Sequence, residues 1–492
     1  MEKEKYYFDL KKVPLESERE EKRKNRKRRF LIFLICLFCF IAGIGGGFLL
    51  YRYVHPSYKA DASNVMGEIE YDMYNYWLYS KDYDDLIQEM EDKAFYGMTT
   101  FSEDPYTSYM SAEEMNEFSS SINMNYVGIG VEYTVIDNLS VVRKVFKNSP
   151  AEKAGILPGD IIVAVDGTSI ESLSSSEVKD LVIGVEGTEV TISVNRSNEK
   201  LDLVCIRGQI DSTIYAYQEN DYVVMQLNSF GTTTANECIK YLDDYKDLDK
   251  IIIDIRDNTG GYQNSVQEVC GLFIGPDKVY LIQEDVKGKS AADYTVSKRY
   301  YDNFKDIVIL TNENTASAAE VFAICLKEQH DNVTLVGTTT FGKGVIQTNR
   351  PLINGGILKM TQYYWLSPSG VSIHKEGIKP DVEVRMADIA YETYSQPAQG
   401  ETFGYDSVSD FTRIAQLGLD YLDYNINRTD GYFDSEFENS LLQYKADHDL
   451  ENTPILDEET YQSIISSVIR ELYTNPSKDY QLVKAKEIIS GN

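Results

Sequence analysis

Apolar and polar positions follow several different patterns along the chain, and each pattern predicts a different kind of structure. Residues 30–51 form one uncharged, mainly apolar run, whereas residues 62–120 alternate acidic and apolar positions at helical spacing. Residues 125–208 contain short strand-like runs, and residues 212–384 alternate apolar strand runs with helices, as in βαβ units. Helical periodicity returns in residues 409–492. The predicted fold class is therefore α/β multidomain, with a helical lead-in and a helical C-terminal region.

The uncharged run predicts a transmembrane helix. Its 22 residues are enough to cross a hydrocarbon core of about 30 Å. Seven of the eight residues from Lys22 to Arg29 are basic, so the positive-inside rule places residues 1–29 in the cytoplasm and the rest of the chain outside. A cleaved secretory signal is the alternative, which is disfavoured because the run exceeds about 7 to 15 residues and no clear small-x-small site follows. We expect an uncleaved, single-pass membrane anchor.

The charge of the chain is divided at this segment. The whole chain has 78 acidic and 48 basic residues, a net charge of −30, but residues 1–29 hold 12 basic and 7 acidic ones, a net of +5. The remainder holds 36 basic and 71 acidic residues, a net of −35, which excludes a nucleic-acid-binding body because phosphates require a basic surface. With 42% hydrophobic residues, the 492-residue chain is expected to fold into several domains of roughly 100 to 200 residues.

Cysteine and histidine usage predicts neither a metal site nor a cofactor. The cysteines beyond the apolar run are Cys205, Cys238, Cys270 and Cys325. They are widely separated and lack a CxxC pair, which favours buried free thiols over disulfides. The histidines are His55, His330, His374 and His448. None has the spacing of a zinc site such as HExxH, and the glycine-rich loop ending at Gly344 lacks the hydroxyl with which a phosphate loop holds Mg²⁺.

Residues 125–208 resemble a PDZ domain, a barrel-like β-sandwich that binds peptides. The resemblance rests on the sequences YVGIGV, SPAEKAGILPGD and IVAVDGTSI, which together cover almost the whole module. It implies that a peptide adds as a strand beside Gly128, Ile129, Gly130 and Val131, and that loop amides hold its terminal carboxylate. Taken alone, the two glycines would merely permit a bend.

A serine and a lysine within residues 212–384 carry the candidate chemistry. Ser317 follows an apolar strand and opens a helix, where amide dipoles favour a developing anion. Lys343 can act as a base only when neutral, so burial must lower its pKa from ~10.4 towards about 7 to 8. Gln347 is an even number of residues further on and would share a strand face with Lys343. The residues alone leave a helix-capping serine and a solvated lysine as the simpler interpretation.

The order of motifs in residues 62–384 resembles the carboxyl-terminal processing peptidases, serine endopeptidases that insert a PDZ domain before an α/β core. Besides the PDZ module, the matching sequences are DPYTSY, IDIRDNTGG, TASAAEVFA, FGKGVIQ and GIKPD. The resemblance implies that Ser317 is the nucleophile, that Lys343 is the base, and that Gln347 orients Lys343. A substrate tail in the PDZ groove would align the rest of the substrate at Ser317.

The same resemblance implies an oxyanion hole and a link between domains. The amide of Ala318 and one amide from the turn of Gly260 and Gly261 would hold the oxyanion. As a hypothesis, Arg196 at the end of a PDZ strand couples occupancy of the groove to the catalytic core by a salt bridge. An ordinary surface arginine is an equally good interpretation.

The C-terminal region is similar to a small three-helix peptidoglycan-binding module. Residues 388–406 are polar and contain Gly and Pro, which predicts a linker. The helical region that follows contains a GYFD turn and an LDEET helix start, as members of that family do. A domain that only packs against the protease is the alternative.

These observations together predict a membrane-anchored serine endopeptidase of a bacterial cell envelope that cleaves exported proteins with apolar C-terminal tails. No cofactor and no nucleic-acid partner are expected, and peptidoglycan binding and a homo-oligomer are left open. One rival is a catalytically idle PDZ scaffold that gathers C-termini at the wall, which an intact Ser317, Lys343 and Gln347 disfavours. The other rival is a Ser/His hydrolase that uses His374.

Overall fold

The computed structural model describes residues 65–491 except 125, 137–138, 172, 197–198, 211–212, 298, 396 and 399, together with the isolated residues 23, 27 and 31. The expected basic tail at residues 1–29 and the expected membrane segment at residues 30–51 lie outside the described residues, apart from those isolated positions. Within the described part of the chain, no helix is both long enough and apolar enough to cross a membrane.

Contacts within the chain define two compact units, residues 1–99 and residues 100–492. In the first unit, the described elements are helices α1 (Val65–Tyr76) and α2 (Leu86–Thr99), with a short 3-10 helix at Ser80–Asp82 between them. The second unit begins with strand β1 (Ser108–Met110) and helix α3 (Ala112–Asn123). The lead-in predicted at residues 62–120 is therefore helical in its described part but divided, because DPYTSY leads into a strand of the second unit.

A small β-domain follows at the position of the predicted PDZ module. Its elements are β2 (Tyr126–Gly128), β3 (Val131–Ile136), β4 (Leu139–Val145), α4 (Pro150–Ala154), β5 (Ile161–Val165), β6 (Thr168–Ser169), α5 (Ser175–Val182), β7 (Glu189–Arg196), β8 (Glu199–Ile206) and β9 (Gly208–Ile210). The main sheet has the order β3-β4-β5-β7-β8, with β6 paired to β5, and β2 pairs separately with β9. Val178 of α5 packs with Val142, Ile162 and Ile192 of the strands in one core. Strand β3 forms an edge of the sheet, which is where an added peptide strand can pair.

The predicted α/β core contains two sheets. Its elements are β10 (Ile214–Glu219), β11 (Tyr222–Leu227), α6 (Thr234–Asp244), β12 (Lys250–Asp254), α7 (Gln263–Ile274), β13 (Val279–Asp285), β14 (Ser290–Tyr294), β15 (Asp306–Thr311), α8 (Ala318–Gln329), β16 (Val333–Gly337), β17 (Val345–Pro351), β18 (Ile357–Leu366) and β19 (Val382–Glu383). The first sheet has the order β10-β11-β12-β15-β16-β19 and is parallel from β11 to β19. The second has the order β1-β18-β13-β14, with β17 paired to β18. Because parallel strands end at a common edge, the loops after β12, β15 and β16 lie near one another.

Both faces of the parallel sheet are buried, which explains its continuous apolar runs. Ile251 and Ile253 of β12 face the main core, whereas Ile252 between them packs in a separate cluster with Ala485 and Ile489. This alternation follows the two-residue period of a strand. The cysteines Cys205, Cys238, Cys270 and Cys325 are buried free thiols, as predicted.

The C-terminal region forms helices α9 (Asp410–Tyr421), α10 (Ser435–Asp447), α11 (Glu458–Thr474) and α12 (Tyr480–Ile489). The first three share a core that includes Val141 and Ile161 of the PDZ domain. The fourth leaves this bundle and covers the second face of the parallel sheet. In the predicted GYFD turn, Gly431 has a φ of +83°, and an added Cβ would lie 2.4 Å from the carbonyl oxygen of Ser409.

The C-terminal region is thus not a self-contained three-helix module, since it packs against both other domains, and these contacts favour the packing alternative. Arg256, in the loop after β12, pairs with Asp254 and with Asp479 just before α12, at 2.7 Å in each case. The predicted linker is also partly structured, because it begins with a 3-10 helix at Asp388–Tyr391 in which Ile389 is buried.

Candidate active site

Ser317 lies between β15 and α8 in a backbone conformation that few residues other than glycine adopt. Its φ is 57° and its ψ is −121°. A conformation of this kind costs on the order of 1 to 3 kcal/mol and persists only where the surroundings hold it. The N–H of Ser317 donates to Glu320 Oε2 at 2.9 Å, which ties the turn to the first turn of α8. The sequence predicted the helix start at this serine but not the strain.

Glu320 is a functional candidate to which the sequence assigned no role. Its carboxylate is fully buried and accepts hydrogen bonds from the N–H groups of Ser317, Gly342 and Lys343 and from the hydroxyl of Thr340, over 2.6 to 2.9 Å. Burial raises its pKa in spite of these four donors. One side chain therefore fixes the backbone of the serine turn relative to the backbone of the lysine loop. The available signal was an acidic residue three positions after Ser317, in the otherwise apolar residues 318–326 of this helix.

Lys343 lies in the loop between β16 and β17 and is partly buried. Burial, with a smaller contribution from the positive charge of Lys359, lowers its pKa to about 8, although the carboxylates of Glu320 and Asp104 oppose the shift. The lysine Nζ lies 4.8 Å from the centroid of the Tyr106 ring. A lysine with such a pKa is partly neutral near neutral pH, which general-base catalysis requires.

Gln347 follows Lys343 but does not share a regular strand face with it. Strand β17 begins only at Val345, and its pairing with β18 shifts between Ile346 and Gln347. The amide Nε2 of Gln347 donates to Thr361 Oγ1 at 3.2 Å. The even spacing that suggested a common face therefore does not set the geometry, although Gln347 and Lys343 both line the cleft described below.

The turn of Gly260 and Gly261 packs directly against the nucleophile. A Cβ added at Gly260 would lie 2.8 Å from Ser317 Cβ and 2.9 Å from the amide nitrogen of Ala318. The N–H of Gly260 donates to Asn258 Oδ1 at 2.9 Å. Among the residues that the structure describes, the N–H groups of Gly261 and Ala318 have no acceptor. Of the two glycine amides predicted for the oxyanion hole, that of Gly261 is therefore the available one.

A single cleft of about 1620 Å³ connects the two groups of predicted site residues. Its PDZ side includes Gly128, Ile129, Gly130 and Val131, and its core side includes Ser317, Ala318, Lys343, Gln347, Gly260 and Gly261. A peptide paired to the edge strand β3 would thus lie in the same cleft as Ser317. The folding of the chain brings together residues that are up to 219 positions apart, from Gly128 to Gln347.

Two other residues singled out in the sequence lie elsewhere. Arg196 donates to the buried carboxylate of Asp160 at 2.6 and 2.7 Å, so its ion pair is internal to the PDZ domain and its coupling role stays a prediction. His374 packs against Gly344, where an added Cβ would lie 2.7 Å from His374 Cβ. It is not among the described residues that line the cleft.

The chain is similar to known families and proteins. Residues 221–384 match the model of peptidase family S41, and residues 141–196 match a PDZ-domain model. A "Probable CtpA-like serine protease" of Staphylococcus aureus (strain COL) is 34% identical over 409 residues, which cover 82% of this chain and 81% of that protein. A protein of the same name from Staphylococcus haemolyticus (strain JCSC1435) is 31% identical over 388 residues, 78% of this chain and 77% of that protein. Among solved structures, the photosystem II D1 C-terminal processing protease has 23% sequence identity and a TM-score of 0.42, and the match covers 65% of this chain and 92% of that one.

Proposed function

The chain belongs to peptidase family S41, among its CtpA-like serine proteases, and on this premise we propose that Ser317 and Lys343 form its catalytic dyad. The observation that carries the proposal is the common cleft in which Ser317, Lys343 and the PDZ segment at residues 128–131 lie. The lowered pKa of Lys343 and the strained turn at Ser317 support the same assignment.

In the proposed reaction, Ser317 Oγ attacks the carbonyl carbon of the scissile bond and its proton passes to Lys343 Nζ. The N–H groups of Gly261 and Ala318 hold the oxyanion, and each such donor typically contributes about 3 kcal/mol to the transition state. Lys343 then gives the proton to the leaving amine, which leaves an acyl ester on Ser317. Water hydrolyses the ester in a second step that uses Lys343 as base again.

Substrate selection is proposed to take place at the PDZ edge. A substrate's C-terminal tail would pair with β3 near Gly130, and its apolar side chains would enter the groove between β3 and α5, where Tyr133 and Val178 also line the cleft. Residues 30–51 would anchor the enzyme in a bacterial cell membrane with the protease outside. Peptidoglycan binding by residues 409–492 stays a prediction.

The test is cleavage of an unfolded protein with an apolar C-terminal tail by the purified full-length chain, beside Ser317→Ala and Lys343→Ala variants. Exposed residues of the same types, Ser290→Ala and Lys375→Ala, serve as matched controls. We expect both active-site variants to lose cleavage with folding intact and both controls to keep it. Cleavage that survives in either active-site variant would refute the dyad. A tail that binds but is not cut by the parent would favour the idle scaffold.

A further inference from the structure

The DPYTSY segment at residues 104–109 belongs to the peptidase core, although the PDZ domain separates the two in the sequence. Strand β1 pairs with β18 so that Ser108 lies opposite Lys359 and Tyr109 opposite Leu358. The N–H of Thr361 donates to Thr107 Oγ1 at 3.0 Å. The segment is thus fixed to β18, the strand that also pairs with β17, in which Gln347 lies.

Asp104 organises this segment and connects it to the candidate dyad. Its carboxylate accepts from the N–H of Tyr106 at 3.1 Å, from the N–H of Thr107 at 3.2 Å and from the hydroxyl of Thr107 at 2.5 Å. The Asp104 carboxylate also accepts from the hydroxyl of Thr361 at 3.1 Å. Thr361 Oγ1 in turn accepts from Gln347 Nε2 at 3.2 Å. A continuous chain of hydrogen bonds therefore runs from Gln347 through Thr361 to the turn that presents Tyr106.

The ring of Tyr106 lies against the ammonium group of Lys343. Lys343 Nζ lies 4.8 Å from the ring centroid, which is within the range of a cation–π contact. In the described part of the chain, this nitrogen makes no hydrogen bond, and the other charged groups that act on it are Asp104, Glu320 and Lys359. The carboxylates of Asp104 and Glu320 are occupied by other donors, as described above.

We propose that Tyr106 is a positioning residue for the reaction, whose ring holds the Lys343 ammonium in the cleft while Asp104, through Thr361, holds Gln347 beside it. The proposal rests on the Ser/Lys dyad. After Lys343 takes the proton of Ser317, the ammonium must persist until the proton passes to the leaving amine. A ring face attracts the ammonium but cannot accept its proton, so the proton stays available for that transfer. A carboxylate in the same place would bind the ammonium more tightly and compete for its proton.

The test compares Tyr106→Phe, which keeps the ring, with Tyr106→Leu, which removes it, in the full-length chain. We expect the Phe variant to retain kcat within about twofold, and the Leu variant to lose about tenfold in kcat with little change in KM. The rising limb of the kcat/KM profile with pH should move down by about half to one pH unit in the Leu variant, because its protonated lysine has lost a stabilising partner. Phe118→Leu is the matched control, since Phe118 lies 4.8 Å from Lys359, another of the lysines that line the cleft.

A second measurement does not depend on activity. In a Ser317→Ala background, the pH dependence of Lys343 acylation by an amine-reactive anhydride, followed by mass spectrometry, reports the pKa of this lysine directly. We expect the same downward shift with Tyr106→Leu and none with Tyr106→Phe. If the pKa of Lys343 and the pH profile are unchanged in the Leu variant, the positioning role of Tyr106 is overturned but the Ser/Lys dyad is not. Cleavage by Lys343→Ala would instead overturn the dyad on which the proposal rests.

Discussion

The cleft has a PDZ wall around Gly130 and a peptidase wall around Gly260, and at each glycine an added Cβ would collide with a serine. On the PDZ wall, the collision is with Ser149 Cβ at 2.5 Å, in a region held by apolar packing and strand pairing. On the peptidase wall, it is with the strained Ser317 at 2.8 Å. There the loops are held by hydrogen bonds to one buried carboxylate, that of Glu320. Changes on the first wall should therefore alter substrate affinity, and changes on the second should alter the rate of reaction.

The sharpest test of this comparison is the same substitution at both glycines. Gly260→Ala should lower kcat by about 10²- to 10³-fold, because the new methyl group displaces the nucleophile from the oxyanion donors. Gly130→Ala should instead raise KM for tailed substrates by about tenfold with kcat nearly unchanged. Steady-state kinetics with one tailed substrate checks both. Equal effects of the two variants on kcat would refute the division of labour between the walls.

Glu320→Gln should have the next largest effect. Glutamine presents an amide N–H2 group where four donors converge on the carboxylate, so at least one buried donor loses its acceptor. We expect kcat to fall by on the order of 100-fold and the free energy of unfolding to fall by about 2 kcal/mol, measured by kinetics and by denaturant titration. Glu313→Gln, at an exposed acid in the loop between β15 and α8, is the control and should change neither quantity appreciably.

A smaller effect is expected from Lys359→Met. Removing a like charge from the neighbourhood of Lys343 favours the charged lysine and raises its pKa above about 8. Less neutral lysine is then present at any given pH, so the rising limb of kcat/KM should move up by about half a pH unit, with activity at pH 7 falling about threefold. Lys359→Arg retains the charge and should keep the profile of the parent. If the rising limb of kcat/KM in Lys359→Met instead moved to lower pH, the two lysines would not repel each other.

The smallest effect on activity is expected from Arg196→Ala. Its partner Asp160 is fully buried, so loss of the ion pair should destabilise the PDZ domain by about 1 to 3 kcal/mol. Arg470, whose Nη2 lies 3.8 Å from Asp160, should reduce this destabilisation. Cleavage of a tailed substrate should stay within about twofold of the parent below the unfolding temperature. A loss of more than tenfold in an intact fold would instead support the hypothesis that Arg196 couples the domains.

Sequence reasoning identified the groups that carry chemistry better than the contacts that place them. Ser317 and Lys343 stand in contiguous motifs whose strand and helix signals are local, and the parallel sheet follows the predicted alternation of apolar strands and helices. The second sheet, which is antiparallel, was not predicted. The sequence assigned no role to Glu320, because its hydrogen bonds connect the serine turn with the lysine loop, which meet only in the folded chain. The engagement of the Gly260 amide by Asn258 likewise depends on side-chain geometry that no sequence period encodes.

The C-terminal region shows the same limit at the scale of domains. Its helices and its GYFD turn were predictable from periodicity and from the glycine at position 431. Their partners were not, because an apolar helix face does not specify which surface covers it. The resemblance to a separate module suggested independence, whereas α12 completes the core of the peptidase.

The position of α12 has a consequence for the biogenesis of the enzyme. The second face of the parallel sheet stays open until residues 480–489 have been synthesised, and Arg256, close to the oxyanion turn, has no Asp479 to pair with before then. In a chain that is exported as proposed, the catalytic loops should therefore reach their final geometry only after residues 480–489 have also crossed the membrane. The closing of the sheet and the setting of the oxyanion turn are thereby coupled to the docking of one helix that lies far from both in the sequence.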